Sequence, residues 1–200
     1  NLFGSTWIAQ IQVYMHFINQ RVMYITGATG VGKSTVVPML LLYAEKSLNF
    51  NNNATLYCSQ PRIPPTKGNA ETISKLIIEE TELDKKHDED IQQTSEFNIN
   101  KSNKSVLPIN YVQYKYKDHD IEDNYYHPTI RLYTDGTLYN DIKTKYLLKD
   151  QLESDEPYQF KDKNSCNILI VDESHEHNVN MDMILTLSKF SVYTNNSITL

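Results

Sequence analysis

Gly27-Ala28-Thr29-Gly30-Val31-Gly32-Lys33-Ser34 matches the spacing G-x-x-x-x-G-K-[ST] at each fixed position. Glycines placed in this way let a backbone fold closely round a chain of phosphates. The loop N–H groups and the N-terminus of a following helix then face the negative charge. In such a loop Lys33 reaches the β- and γ-phosphates of a nucleotide, Ser34 binds Mg²⁺, and Thr35 lies near the α-phosphate. Gly27 to Thr35 is therefore the candidate nucleotide site, with Lys33 its catalytic cation.

A second group is Asp172-Glu173-Ser174-His175, which follows the apolar run Ile168-Leu169-Ile170-Val171. In an open α/β sheet, ligands bind beyond the carboxyl ends of the strands. The run thus delivers two carboxylates to the edge where the phosphate loop should lie. Asp172 is expected to hold Mg²⁺, mainly through water, and Glu173 to orient and deprotonate an attacking water. His175 and His177 form an H-x-H pair, but zinc would want two further ligands and the sequence offers no good Cys or His partners. Magnesium held by a nucleotide and one carboxylate is the better fit.

These groups need strands that end where they begin. Arg21 to Thr26, Thr55 to Ser59, Tyr111 to Lys117, Thr129 to Thr134 and Asn167 to Val171 read as strands, the last nearly continuous in apolar residues, as a strand covered on both faces would be. Helices are predicted over Thr6 to Asn19, Ser34 to Lys46, Thr66 to Glu80, Leu138 to Leu148 and Met181 to Phe190. In the first, Ile8, Ile11, Met15 and Ile18 supply the apolar stripe, and the Pro64-Pro65 pair closes the turn before the third. Ile198-Thr199-Leu200 could begin another strand. From Thr81 to Ser105 the pattern turns polar, charged and Asn-rich without periodicity, as a disordered surface insertion would. Strands alternating with helices predict an α/β fold with a mostly parallel sheet and helices on both faces.

The chain has 200 residues, long enough for one well-buried domain and short for two. A formal net charge of -6 means that any nucleic-acid binding must come from a local groove. The two cysteines, Cys58 and Cys166, lie in apolar runs, which suits reduced thiols inside a cell and not a disulfide framework. No apolar stretch approaches the ~20 residues of a membrane span.

Taken in order, the segments resemble the DEAH/DExH-box helicases of superfamily 2. Gly27 to Thr35 is similar to their first motif and Asp172 to His175 to their acidic box. Ser59-Gln60-Pro61-Arg62 resembles the family's Gln-Pro-Arg segment, and Asn110-Tyr111 its Gly-Tyr strand, departing at the glycine. Thr134-Asp135-Gly136-Thr137-Leu138 closely resembles the Thr-Asp-Gly-x-Leu motif, and Asn180-Met181-Asp182 stands where the family often has Asn-x-Asp. After the histidine, Glu176-His177 looks closer to the poxviral nucleoside triphosphate phosphohydrolase helicases than to cellular members, which makes a viral origin plausible.

The resemblance implies a RecA-like P-loop domain, the first of two lobes, spanning residues 1–200 and stopping before the Ser-Ala-Thr motif. It implies an ATP-dependent helicase, with ATP or another NTP and Mg²⁺ as cofactors. Single-stranded RNA or DNA and the second lobe of the same chain would be its partners, without a membrane. Asp172, Glu173 and His175 would carry the chemistry, Ser34 and Asp172 the metal. Arg62, Thr134, Asp135 and Gly136 would touch the nucleic-acid backbone. A packaging or protein-remodelling P-loop NTPase, or a non-catalytic nucleotide-binding remnant, are the other readings of the same loop and acid pair.

Overall fold

β1 (Leu56–Gln60) is buried at every position because it has a strand on each side and helices on both faces. Its side chains alternate between two cores, as a period of two requires. Leu56 and Cys58 join one, with Phe17, Met39, Leu41, Ile73 and Ile130. Tyr57 joins the other, with Tyr133, Leu138, Ile142, Leu169 and Ile184. These relations come from a computed structural model that describes residues 6–28, 30–49, 54–92, 112–117, 130–145, 147–148, 166–195 and 198–200.

The sheet has the order β2-β3-β1-β4, with β2 (Val112–Lys115), β3 (Ile130–Thr134) and β4 (Ile168–Val171). Each pairing is parallel: Leu56 stands opposite Ile130 and Ile168, and Val112 opposite Ile130. α1 (Trp7–Asn19), α2 (Val36–Leu48) and α3 (Ile63–Gln92) contribute to the first core. α4 (Asp135–Lys145) and α5 (Val179–Thr194) contribute to the second. The expected α/β architecture with a parallel sheet is the one observed.

Beyond β4 the sheet continues without regular strands. Thr199 bridges Ile168 in parallel, with Leu169 N–H donating to Thr199 O at 2.9 Å and Thr199 N–H to Asn167 O at 2.8 Å. Leu200 N–H donates to Arg21 O and Met23 N–H to Leu200 O, both at 2.8 Å, again the parallel pattern. Ile198 to Leu200 is therefore strand-like, as its apolar run suggested. Arg21 to Thr26, read as a strand, makes backbone bonds to Leu200 on either side of Val22 and is not assigned as a regular strand.

Other local differences have physical reasons. Ile8, Ile11, Met15 and Ile18 are 48–60% exposed, while Gln10 and Phe17 are buried. α1 is apolar on more than one face, and the stripe that packs is Gln10, Val13, Tyr14 and Phe17, which has the same helical spacing. Pro64 and Pro65 lie in the first turn of α3, where a helix N–H has no intrahelical acceptor and a proline forfeits nothing. α3 runs on to Gln92, through residues predicted to be unstructured. The Glu, Lys, Leu and Gln of Thr81 to Gln92 are good helix formers even without an apolar stripe. Residues 93–105 lie outside the described residues.

Candidate nucleotide site and its acidic loop

Because the strands run parallel, the turns after Met23 and after Val171 emerge at the same edge. Ile168 is level with Thr199, and Leu200 bonds on either side of Val22. These bonds set β4 and the segment entering the loop parallel, with Leu200 between Leu169 and Val22. The loop and the acid pair thus follow segments that run toward the same, carboxyl edge of the sheet, where ligands of open α/β sheets bind.

Within the loop, Gly30 and Gly32 take φ of +84° and +85°, a region that costs an L side chain roughly 1–2 kcal/mol. A Cβ on Gly32 would also lie 2.6 Å from Val36 Cγ2. Gly32 O accepts from the N–H groups of Thr35, Val36 and Val37, which turns the chain into α2. Lys33 Nζ donates to Gly27 O at 2.8 Å and Ala28 O at 2.9 Å, holding the ammonium across the loop. Ser34 and Thr35 are partly buried at the helix start. Thr29 lies outside the described residues.

Asp172 is fixed at both oxygens. Gln60 Nε2 donates to Oδ2 at 2.7 Å, and Glu173 N–H donates to Oδ1 at 2.9 Å. Both donors are neutral, so a partly buried carboxylate stands at the sheet edge with its charge unmatched by either of them. That is a setting in which a divalent cation fits. Glu173 has φ of +51° and is the one described residue other than glycine with a positive value. His175 Nδ1 lies 3.2 Å from Glu173 Oε2, and the imidazole is otherwise well exposed.

The segments expected to touch nucleic acid are tied to this same acidic loop. Arg62 pairs with Glu176 at 3.2 Å, with side chains 69% and 32% exposed. Asp135, at 4% exposure, accepts from Asn178 Nδ2 at 2.9 Å. Burial raises its carboxyl above the ordinary aspartate value, the bond from Asn178 and the nearby Ser59 hydroxyl lower it, and the charge of Glu176 raises it again. Asn178 also caps α5, its Oδ1 accepting from Met181 N–H at 2.9 Å. Thr134 and Thr137 share a hydroxyl contact of 2.9 Å. Gly136 is exposed, and a Cβ there would stand 3.3 Å from Asn180 Nδ2, so α4 and α5 meet closely at their starts.

Where β2, β3 and α4 meet, an open cleft of ≈ 470 Å³ is lined by Thr134, Gly136, Thr137, Lys115 and Lys117 among others. Lys115 is itself buried against Asp141 at 2.9 Å, so Lys117 is the more exposed cation of the two. Tyr114 packs against the first core and lies parallel to Tyr116, with centroids 6.3 Å apart. Gln60, Glu176 and Asn178 are the residues whose roles the sequence reading left unassigned. Gln60 lies within Ser59-Gln60-Pro61-Arg62 and Glu176 directly follows Asp172-Glu173-Ser174-His175, so nearness to a motif is the signal the sequence carries.

No protein-family model matches the chain. Over 98% of its length it is 41% identical to a protein of Acanthamoeba polyphaga mimivirus named "Putative ATP-dependent RNA helicase". The chain spans 11% of the length of that protein. Among the described residues no helix is long and apolar enough to cross a membrane. Along nearly its whole length the chain is thus a relative of one stretch of that viral protein, folded as an α/β domain of RecA-like form.

Proposed function

We propose that this chain is the nucleotide-binding lobe of an ATP-dependent DExH-type helicase or translocase acting on single-stranded RNA or DNA. The observation that carries this reading is that the segment entering the loop Gly27–Thr35 and the strand entering Asp172-Glu173 run parallel, one strand apart. Lys33, Ser34 and the loop N–H groups would hold the phosphates, and Ser34 and Asp172 the magnesium. A magnesium ion held by these residues would supply charge neutralisation for phosphoryl transfer. Glu173 would take the proton of the attacking water, with His175 against its carboxylate. Its left-handed backbone supports that role, since strain of about 1–3 kcal/mol persists mainly where function over-determines it.

Arg62, Thr134 and Gly136 would meet the nucleic-acid backbone, which gives position without sequence information. Asp135 would act from beneath, orienting Asn178. The relative's name favours ATP and RNA. Arginines from a second lobe, worth about 10³–10⁵ in rate in related NTPases, would complete the site, so the lobe alone should bind nucleotide and turn it over slowly.

The test is NTP hydrolysis by the full-length protein, with and without single-stranded RNA or DNA, beside its Glu173→Gln variant. Stimulation by one nucleic acid that disappears in the variant is expected, and it names the substrate. Hydrolysis indifferent to both would move the reading to a packaging or protein-remodelling NTPase.

A further inference from the structure

We infer that Gln60 is a positioning residue for the Asp172 carboxylate, fixing the plane in which that group meets a magnesium–nucleotide complex. This rests on the nucleotide site proposed above. Gln60 closes β1 and is 1% exposed. β1 pairs with β4 up to Ser59 opposite Val171, so Gln60 and Asp172 are the next residues out on neighbouring strands. The Gln60 amide spans the gap, donating to Asp172 Oδ2 at 2.7 Å, while its contact with Cys58 Sγ is a distant 3.6 Å.

A carboxylate has about four lone-pair sites over its two oxygens. With Gln60 on Oδ2 and Glu173 N–H on Oδ1, each oxygen of Asp172 keeps capacity for a metal-bound water, and rotation about the carboxylate axis is blocked. Glutamine suits this place for three reasons. Its amide is neutral and does not compete with a cation for the carboxylate, as lysine would. It donates, which an ionised glutamate could not. Its length reaches across the strand spacing, where asparagine falls short by a methylene. The same β1 end turns into Arg62, so the segment expected to meet nucleic acid also holds the metal ligand still.

The test uses the full chain and a fluorescent ADP analogue, titrated in Mg²⁺ and in EDTA, with the magnesium midpoint measured at fixed nucleotide. For Gln60→Met the midpoint should rise about ten-fold, the loss expected for a hydrogen bond to a charged group. Its affinity in EDTA should stay within about two-fold of the parent, because the phosphate loop is untouched. Gln60→Asn, which keeps a buried amide but withdraws it, should shift the midpoint in the same direction and guards against a fold lost to the apolar change. An unchanged midpoint in the folded variants, even with a lower melting temperature, overturns the inference and makes Gln60 a structural residue only. Lys33→Ala separates the two claims: it should abolish binding with and without Mg²⁺. If it does not, the nucleotide site itself is misplaced and the role of Gln60 falls with it.

Discussion

At the scale of single residues, the exposed pair Arg62–Glu176 is the point where two expectations meet. Exposed ion pairs are worth about 0–1 kcal/mol, so a nucleic-acid phosphate can displace Glu176 from the guanidinium at little cost. Glu176→Gln should therefore tighten binding of a single-stranded oligonucleotide by up to about five-fold. Arg62→Ala should weaken it evenly across sequences and reduce the salt slope by about one. Fluorescence anisotropy over a salt series reads both, and an Arg62→Ala curve superimposable on the parent would remove Arg62 from the interface. The site residues legible beforehand were those fixed by spacing: Gly27 to Thr35, and the acid pair after Val171. Gln60, Glu176 and Asn178 were not, because their partners lie 112, 114 and 43 positions away in the chain. Nothing local marks a glutamine that a distant aspartate will need.

At the scale of elements, the phosphate loop and α2 depend on one glycine more than on the others. Gly32 combines a left-handed φ with a space that Val36 already fills. Gly32→Ala should cost about 1–2 kcal/mol from backbone conformation alone. In a chain of this length that lowers the melting temperature by roughly 3–6 °C. Nucleotide binding should fall with it, and adding Val36→Ala should recover the part due to the clash but not the part due to φ. Scanning calorimetry beside nucleotide titration distinguishes the two. Element types were largely readable from periodicity, since strands with two covered faces and helices with an apolar stripe leave unequal patterns. The misread places are those where pattern is insufficient. α1 offers two stripes of helical period, and packing against the first core selects Val13, Tyr14 and Phe17, with Gln10 buried beside them.

For the whole molecule, a buried carboxylate makes stability depend on pH in an unusual direction. Asp135 has its pKa raised by burial, so the folded chain holds this proton at a pH where the unfolded chain has released it. Its contribution to stability thus falls as pH rises from the unfolded to the folded value, and then stays constant. Asp135→Asn should be more stable than the parent near about pH 7, with the difference shrinking towards about pH 3. Melting temperatures of both proteins across that range check it. A less stable variant at neutral pH would mean that the bond to Asn178 outweighs the cost of the buried charge. The parallel α/β plan was legible because strands and helices alternate along the chain. The order β2-β3-β1-β4 was not, since pairing is decided by packing between residues far apart.

Between the acidic strand and the segment leading to the phosphate loop lies the breadth of one strand, filled by Ile198 to Leu200. At about 4.8 Å per step, the roots of the two are held about 10 Å apart. The proposed nucleotide pocket would therefore have a gauge, like a track. Its width is laid down by backbone hydrogen bonds, and side chains at Lys33 or Asp172 can only adjust grip within it. A ligand would be admitted by whether it bridges that width, which the backbone of residues 198–200 sets.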